Sequence, residues 1–150
     1  MLFQNISRLL KVYFSKEDGA FINAVESIIS QRIYNVNIYK LAVNHSSASG
    51  VNHYGIKESN ERLEYLGDAV LGMVVADYLF TQFPFKEEGF LTEIRSKIVN
   101  RESLNNIGRK IGLKRLINIK KFKSKSYDSI YGDALEAIIG ACYLEKGFEF

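Results

Sequence analysis

Apolar positions recur at helical spacing along most of the chain, and strand-like alternation is nearly absent. Ser15-Lys16-Glu17-Asp18 has the form of a capping box, and Phe21, Val25, Ile28 and Ile29 follow it on one helical face. A short helix is expected over Val36 to Val43. The Ser-, Gly-, Asn- and His-rich stretch His45 to Glu58 reads as a loop. Ser59 or Asn60 could cap a long helix reaching about Phe80, and Pro84 and Gly89 punctuate the turn after it. Further helices are expected over Phe90 to Val99 and Arg101 to Ile111, with Gly112 as a stop. The segment Lys114 to Lys125 reads partly as loop. A last long helix should run from about Tyr127 to Lys146, ended by Gly147. The expected fold class is all-α, in one domain with one core.

Two of these helices carry chemistry. Glu61, Glu64 and Asp68 stand at i, i+3 and i+7, so they share one narrow stripe. Leu63, Leu66 and Val70 point the other way, toward the expected core. Like charges at this spacing repel by a few tenths of a kcal/mol. No lysine falls between Lys57 and Lys86, and Arg62 alone offers local compensation. Such a stripe suits a hard cation that prefers oxygen ligands. On the last helix Asp133 and Glu136 stand at i and i+3, with Gly140 on the same stripe. A mid-helix glycine costs roughly 1 kcal/mol against alanine and usually marks a close approach. If the two helices face each other, Glu64, Asp68, Asp133 and Glu136 converge, and so much negative charge requires a metal. Tyr65 projects beside the acidic stripe, next to Ala69, Gly72 and Ala76. Either a partner helix or another helix of the same chain could cover it.

Charge sharpens this picture. The net charge of +3 is modest, but Arg95 to Lys125 holds eleven lysines or arginines against one acid, Glu102. Such a segment is either a solvated face or a phosphate-contacting surface, with Lys120, Lys121, Lys123 and Lys125 as candidate phosphate contacts. No apolar run approaches the roughly 20 residues needed to span a bilayer. The amphipathic start MLFQNISRLLKVYF is not read as a signal peptide. The single cysteine, Cys142, excludes an internal disulfide, suits a reducing cytoplasm and reads as a core residue. His45 and His53 lack partners at zinc-binding spacing.

The stretch Asn60-Glu61-Arg62-Leu63-Glu64-Tyr65-Leu66-Gly67-Asp68-Ala69-Val70-Leu71 resembles the signature of the ribonuclease III family. Gly132-Asp133-Ala134-Leu135-Glu136-Ala137 resembles the family's second acidic motif. Leu41 to Ser47 resembles the segment before the signature, and Glu88-Gly89-Phe90-Leu91-Thr92 part of the segment between the motifs. The resemblance covers about Phe21 to the C-terminus. It implies an all-α, homodimeric, cytoplasmic endonuclease domain that cuts double-stranded RNA, as in rRNA processing. Cleavage would be metal-dependent hydrolysis leaving 5′-phosphate and 3′-hydroxyl ends, with magnesium as cofactor and manganese as a substitute.

By match to the motifs, Glu64, Asp68, Asp133 and Glu136 would be the metal-binding acids, Asp68 and Glu136 being the catalytic pair. Glu61 and Glu88 would help organise the cleft and substrate. Tyr65 takes the place of a phenylalanine that enters the partner subunit, and Ala69 that of a serine. The resemblance also implies that residues 1–150 form a nuclease domain lacking the family's last helix, with no double-stranded-RNA-binding domain. Two other readings stay open: a non-catalytic, ribosome-associated or RNA-binding member of the family, and a helical interaction domain without metal. The first would be expected to lack cleft acids, and all four are present.

Overall fold

The computed structural model describes residues 16–120 and 129–148. These residues are helical, and among them β-structure is limited to isolated bridges, Asn44 with Asn118 and Val51 with Lys57. The elements are α1 (Lys16–Ile29), α2 (Val36–Ala42), α3 (Glu61–Gln82), α4 (Glu88–Ile98), α5 (Arg101–Lys110), a 3-10 turn (Leu113–Arg115) and α6 (Ile130–Lys146). The expected all-α class holds. The capping box at Ser15 and the first residues expected of the last helix lie outside the described residues.

The chain divides into two compact units, residues 1–36 and 37–150. The first contains α1. Its helix ends at Ser30, which takes φ 56°, and beyond it the Ile33 N–H donates to Glu26 Oε1 at 3.0 Å. The second unit carries everything that follows.

In the second unit α6 lies along both α3 and α5, and α4 packs on α3. Tyr39, Leu79, Leu113, Ala134, Ala137 and Ala141 are fully buried or nearly so. The Tyr39 hydroxyl donates to Glu145 Oε2 at 3.0 Å and lies 3.7 Å from the buried Cys142 sulfur, tying α2 to the end of α6. Asn105, also buried, accepts the Gly132 N–H at 2.9 Å and ties α5 to the start of α6.

The packing of α3 on α6 is set by two glycines. A Cβ at Gly67 would lie 1.7 Å from the Glu136 carbonyl oxygen, and one at Gly140 would lie 2.4 Å from the Leu63 carbonyl oxygen. The backbones therefore touch directly, with no side chain between them. This is the close approach that Gly140 indicated, and Gly67 supplies its other half. On α3 the core face is Leu63, Gly67 and Val70, with Leu66 only half-buried. The N-terminus of α3 differs from expectation in detail. Asn60 is the capping residue by position but makes no side-chain cap, and the Ser59 hydroxyl turns instead to Glu61 Oε2 at 2.9 Å.

Candidate metal centre

Because the helices touch at Gly67 and Gly140, acids within two turns of these glycines face the same space. Carboxylate oxygens of Glu64, Asp133 and Glu136 lie within 4.8 Å of one another. Asp68 lines the same cleft, a cavity of about 450 Å³ bounded also by Glu61, Asn60, Tyr65, His45 and Ser46. Two serines hold acids in place: Ser129 donates to Asp133 Oδ2 at 2.8 Å, and Ser59 donates to Glu61.

The segment that brings His45 and Ser46 to the cleft is fixed by backbone hydrogen bonds. Asn118 N–H donates to the Val43 carbonyl, His45 N–H to the Asn118 carbonyl, and Asn60 N–H to the Asn44 carbonyl, at 2.8, 3.0 and 2.9 Å. The side chains of Asn44 and Asn118 join each other at 3.0 Å. Residues 43–45 are thus clamped between the start of α3 and the strand-like residue Asn118. Sequence reasoning excluded His45 as a zinc ligand but did not place it, or Ser46, at the cleft. Their position beside the acidic signature in the chain was the available signal.

The electrostatics are those of crowded carboxylates. Burial pushes the Glu136 carboxyl up to about 7, helped by the charges of Asp68, Glu64 and Asp133 and opposed by Arg101. Glu64 is raised as well, by burial first and then by Asp133 and Glu61. Among the described residues, no lysine or arginine forms a direct ion pair with any of the four acids. Three carboxylates around one point, a fourth beside them and no paired cation form a donor set for a hard divalent ion. Octahedral magnesium needs oxygens no more than about 4.2 Å apart, so a spread of 4.8 Å needs only side-chain adjustment. The residues fit the ion.

This strain has a pH signature. The folded state raises the Glu136 pKa, so its contribution to stability is fully present below the unfolded value of 4.5 and is lost as pH rises through about 7. The metal-free protein should melt at a lower temperature at about pH 8 than at about pH 5.5. Added magnesium should raise Tm more at the higher pH, because the acids must be ionised to bind it. Thermal melts in chelator and in magnesium at both pH values read this, and a magnesium effect independent of pH would contradict it.

Other expected site residues fall elsewhere. Glu88 opens α4, accepts the Thr92 hydroxyl at 2.8 Å, and lines a second groove with Met73, Phe80 and Arg95. It is not among the residues lining the acidic cleft. Tyr65 is 82% exposed on the cleft rim, so no helix of this chain covers it among the described residues. Lys120 is exposed, while Lys121, Lys123 and Lys125 lie outside the described residues.

Comparison with known proteins agrees with this architecture. Residues 35–150 match the family described as Ribonuclease-III-like. A Ribonuclease 3 of Azobacteroides pseudotrichonymphae is 40% identical over 98% of this chain and 56% of its own length. A Ribonuclease 3 of Bacteroides thetaiotaomicron is 46% identical over 93% of this chain and 45% of its own. The chain therefore spans about half the length of these relatives. The crystallised nuclease domain of a ribonuclease III from Campylobacter jejuni superposes with a TM-score of 0.75 at 38% identity, covering 86% of this chain and 89% of that one.

Proposed function

Since the chain belongs to the ribonuclease III family, we propose that it is a metal-dependent endoribonuclease that hydrolyses double-stranded RNA to 5′-phosphate and 3′-hydroxyl ends. The observation that carries this reading is the convergence of Glu64, Asp133 and Glu136, with Asp68 beside them, in one open cleft. A non-catalytic relative would have no need to keep four mutually repelling acids together.

Glu64, Asp68, Asp133 and Glu136 would hold magnesium, or manganese in its place. Held there, such an ion would supply Lewis-acid chemistry, offsetting phosphate charge, acidifying water and easing departure of the 3′ oxygen. The protein's own contribution is position. The glycine contact fixes how far α3 stands from α6, and Ser129 sets the rotation of the Asp133 carboxylate. Glu61, held by Ser59 at the rim, faces the substrate side of the cleft. Asp68 and Glu136 are the acids whose charge bears most directly on cleavage.

We further assign a homodimer built on α3. Tyr65, Met73 and Phe80 are large, apolar and exposed on one side of this helix. Such a row marks a protein contact, and the second groove, with Glu88 on its edge, borders it. Among the described residues no helix is long and apolar enough to cross a membrane, and the reading places the protein in the cytoplasm. Incubation with a duplex RNA should give discrete cleavage in magnesium and none in chelator. Binding without cleavage at any magnesium or manganese concentration would favour the non-catalytic alternative instead.

A further inference from the structure

His45 has four polar atoms to satisfy, and three are accounted for within the protein, its carbonyl accepting the Ala48 N–H at 2.9 Å. Its backbone N–H donates to the Asn118 carbonyl at 3.0 Å. Its ring Nδ1 receives the Ser47 backbone N–H at 3.1 Å and meets the Ser47 hydroxyl at 2.8 Å. An amide N–H can only donate, so Nδ1 must be the acceptor, and the neutral ring carries its proton on Nε2. No hydrogen bond to Nε2 occurs among the described residues, yet His45 is one of the residues lining the acidic cleft, along with Glu64 and Glu136.

We propose that His45 is a substrate-contacting residue of this cleft, donating Nε2–H to a non-bridging phosphate oxygen of the RNA strand that crosses the acids. The proposal rests on the RNA-cleaving reading and adds to it the group that grips the backbone. The tautomer decides the role. A protonated Nε2 has no lone pair for a metal, so the ring is not a further ligand to the ion. It is donor-only, which matches a phosphate oxygen, an acceptor-only and anionic group. A cleft lined by carboxylates repels phosphate everywhere except at its metal, so a neutral donor at the rim is a favourable second hold. Recognition through phosphate also suits duplex RNA, which is recognised mostly by shape and by phosphate and 2′-hydroxyl contacts. The loop's own stability does not require Nε2, since the clamp to Asn118 and the turn to Ser47 use other atoms.

The test compares wild type with His45→Ala and His45→Gln, whose amide nitrogen can reach the place of Nε2. Three quantities are read: single-turnover kcat/KM on a duplex RNA in magnesium, Tm, and the rise in Tm on adding magnesium. His45→Ala should lower kcat/KM about tenfold, the scale of one hydrogen bond to a charged group. His45→Gln should recover most of that loss. Both variants give up the Nδ1 contacts to Ser47, so a similar small fall in Tm is expected of each, with the wild-type magnesium response kept. Wild-type kcat/KM in His45→Ala overturns the proposal. So does a loss accompanied by a diminished magnesium response, or a glutamine variant no better than alanine. Failure of the wild type itself to cleave any duplex overturns the underlying reading, before a variant is compared.

Discussion

Glu136→Gln is expected to abolish cleavage while leaving the fold intact or firmer. The amide keeps the size of the side chain and one acceptor oxygen but removes the charge that the cleft tolerates least, the carboxyl already pushed up to about 7 by burial and by its acidic neighbours. Metal assistance supplies several kcal/mol of transition-state stabilisation, and each ~1.36 kcal/mol is tenfold in rate. Losing one ligand of the set should therefore cost on the order of a thousandfold in single-turnover rate. In the same variant the metal-free protein no longer has to ionise a crowded acid at neutral pH. Its Tm between about pH 6 and pH 8 should be flatter than that of wild type, and the magnesium-induced rise should shrink. Rate and melting together separate a lost ligand from a damaged fold. Near wild-type turnover in a well-folded Glu136→Gln protein would remove this acid from the site.

Gly67→Ala should be the most damaging small change in the chain. The new methyl would sit 1.7 Å from the Glu136 carbonyl oxygen, where ordinary contact begins beyond 3.4 Å. A backbone oxygen cannot rotate aside as a side chain can, so α3 must move off α6. Overpacking typically costs about 1–3 kcal/mol and occasionally more. A clash against backbone in a helix contact belongs at the top of that range, and alanine's better helix propensity offsets only about 1 kcal/mol. The displaced atom belongs to Glu136 itself, so even the folded fraction should bind magnesium poorly. Chemical denaturation and a magnesium titration followed by Tm would show both losses. A variant that melts and cleaves like wild type would mean that the two helices do not depend on this contact.

The acids were legible in the sequence because their geometry is local. Helical spacing alone puts Glu61, Glu64 and Asp68 on one stripe and Asp133 and Glu136 on another. Gly140 pointed to a helix contact because a glycine in mid-helix usually has a packing reason. Gly67 was not singled out, although it meets the same partner, since its neighbours in the motif drew attention to charge and away from packing. His45 had only its nearness to the signature in the chain to mark it, for a different reason. Its place is fixed by Asn118, far along the chain, and by a turn to Ser47 that residue identities alone do not specify. Glu88 shows the reverse limit. Motif matching gave it a role in the cleft, but its position at the head of α4 turns it to a different groove within one subunit. Tyr65 could as well be covered by a partner helix as by another helix of this chain, and only the packing of α4 and α6 on α3 left it at the surface of this chain.

The clamp between Asn44 and Asn118 and the touch of Gly67 on Gly140 both join residues more than seventy positions apart. Closing such loops costs entropy that local helix formation does not, so these contacts belong to the late steps of folding. During synthesis the chain emerges from its N-terminus, and Glu64 and Asp68 are exposed long before Asp133 and Glu136 exist. Until α6 has been made and has docked, the early acids are only a charged stripe on a helix, unable to gather an ion. On the proposed reading, the half-made chain cannot yet hold the ion that cleavage would require, and that capacity would arrive in one step with α6.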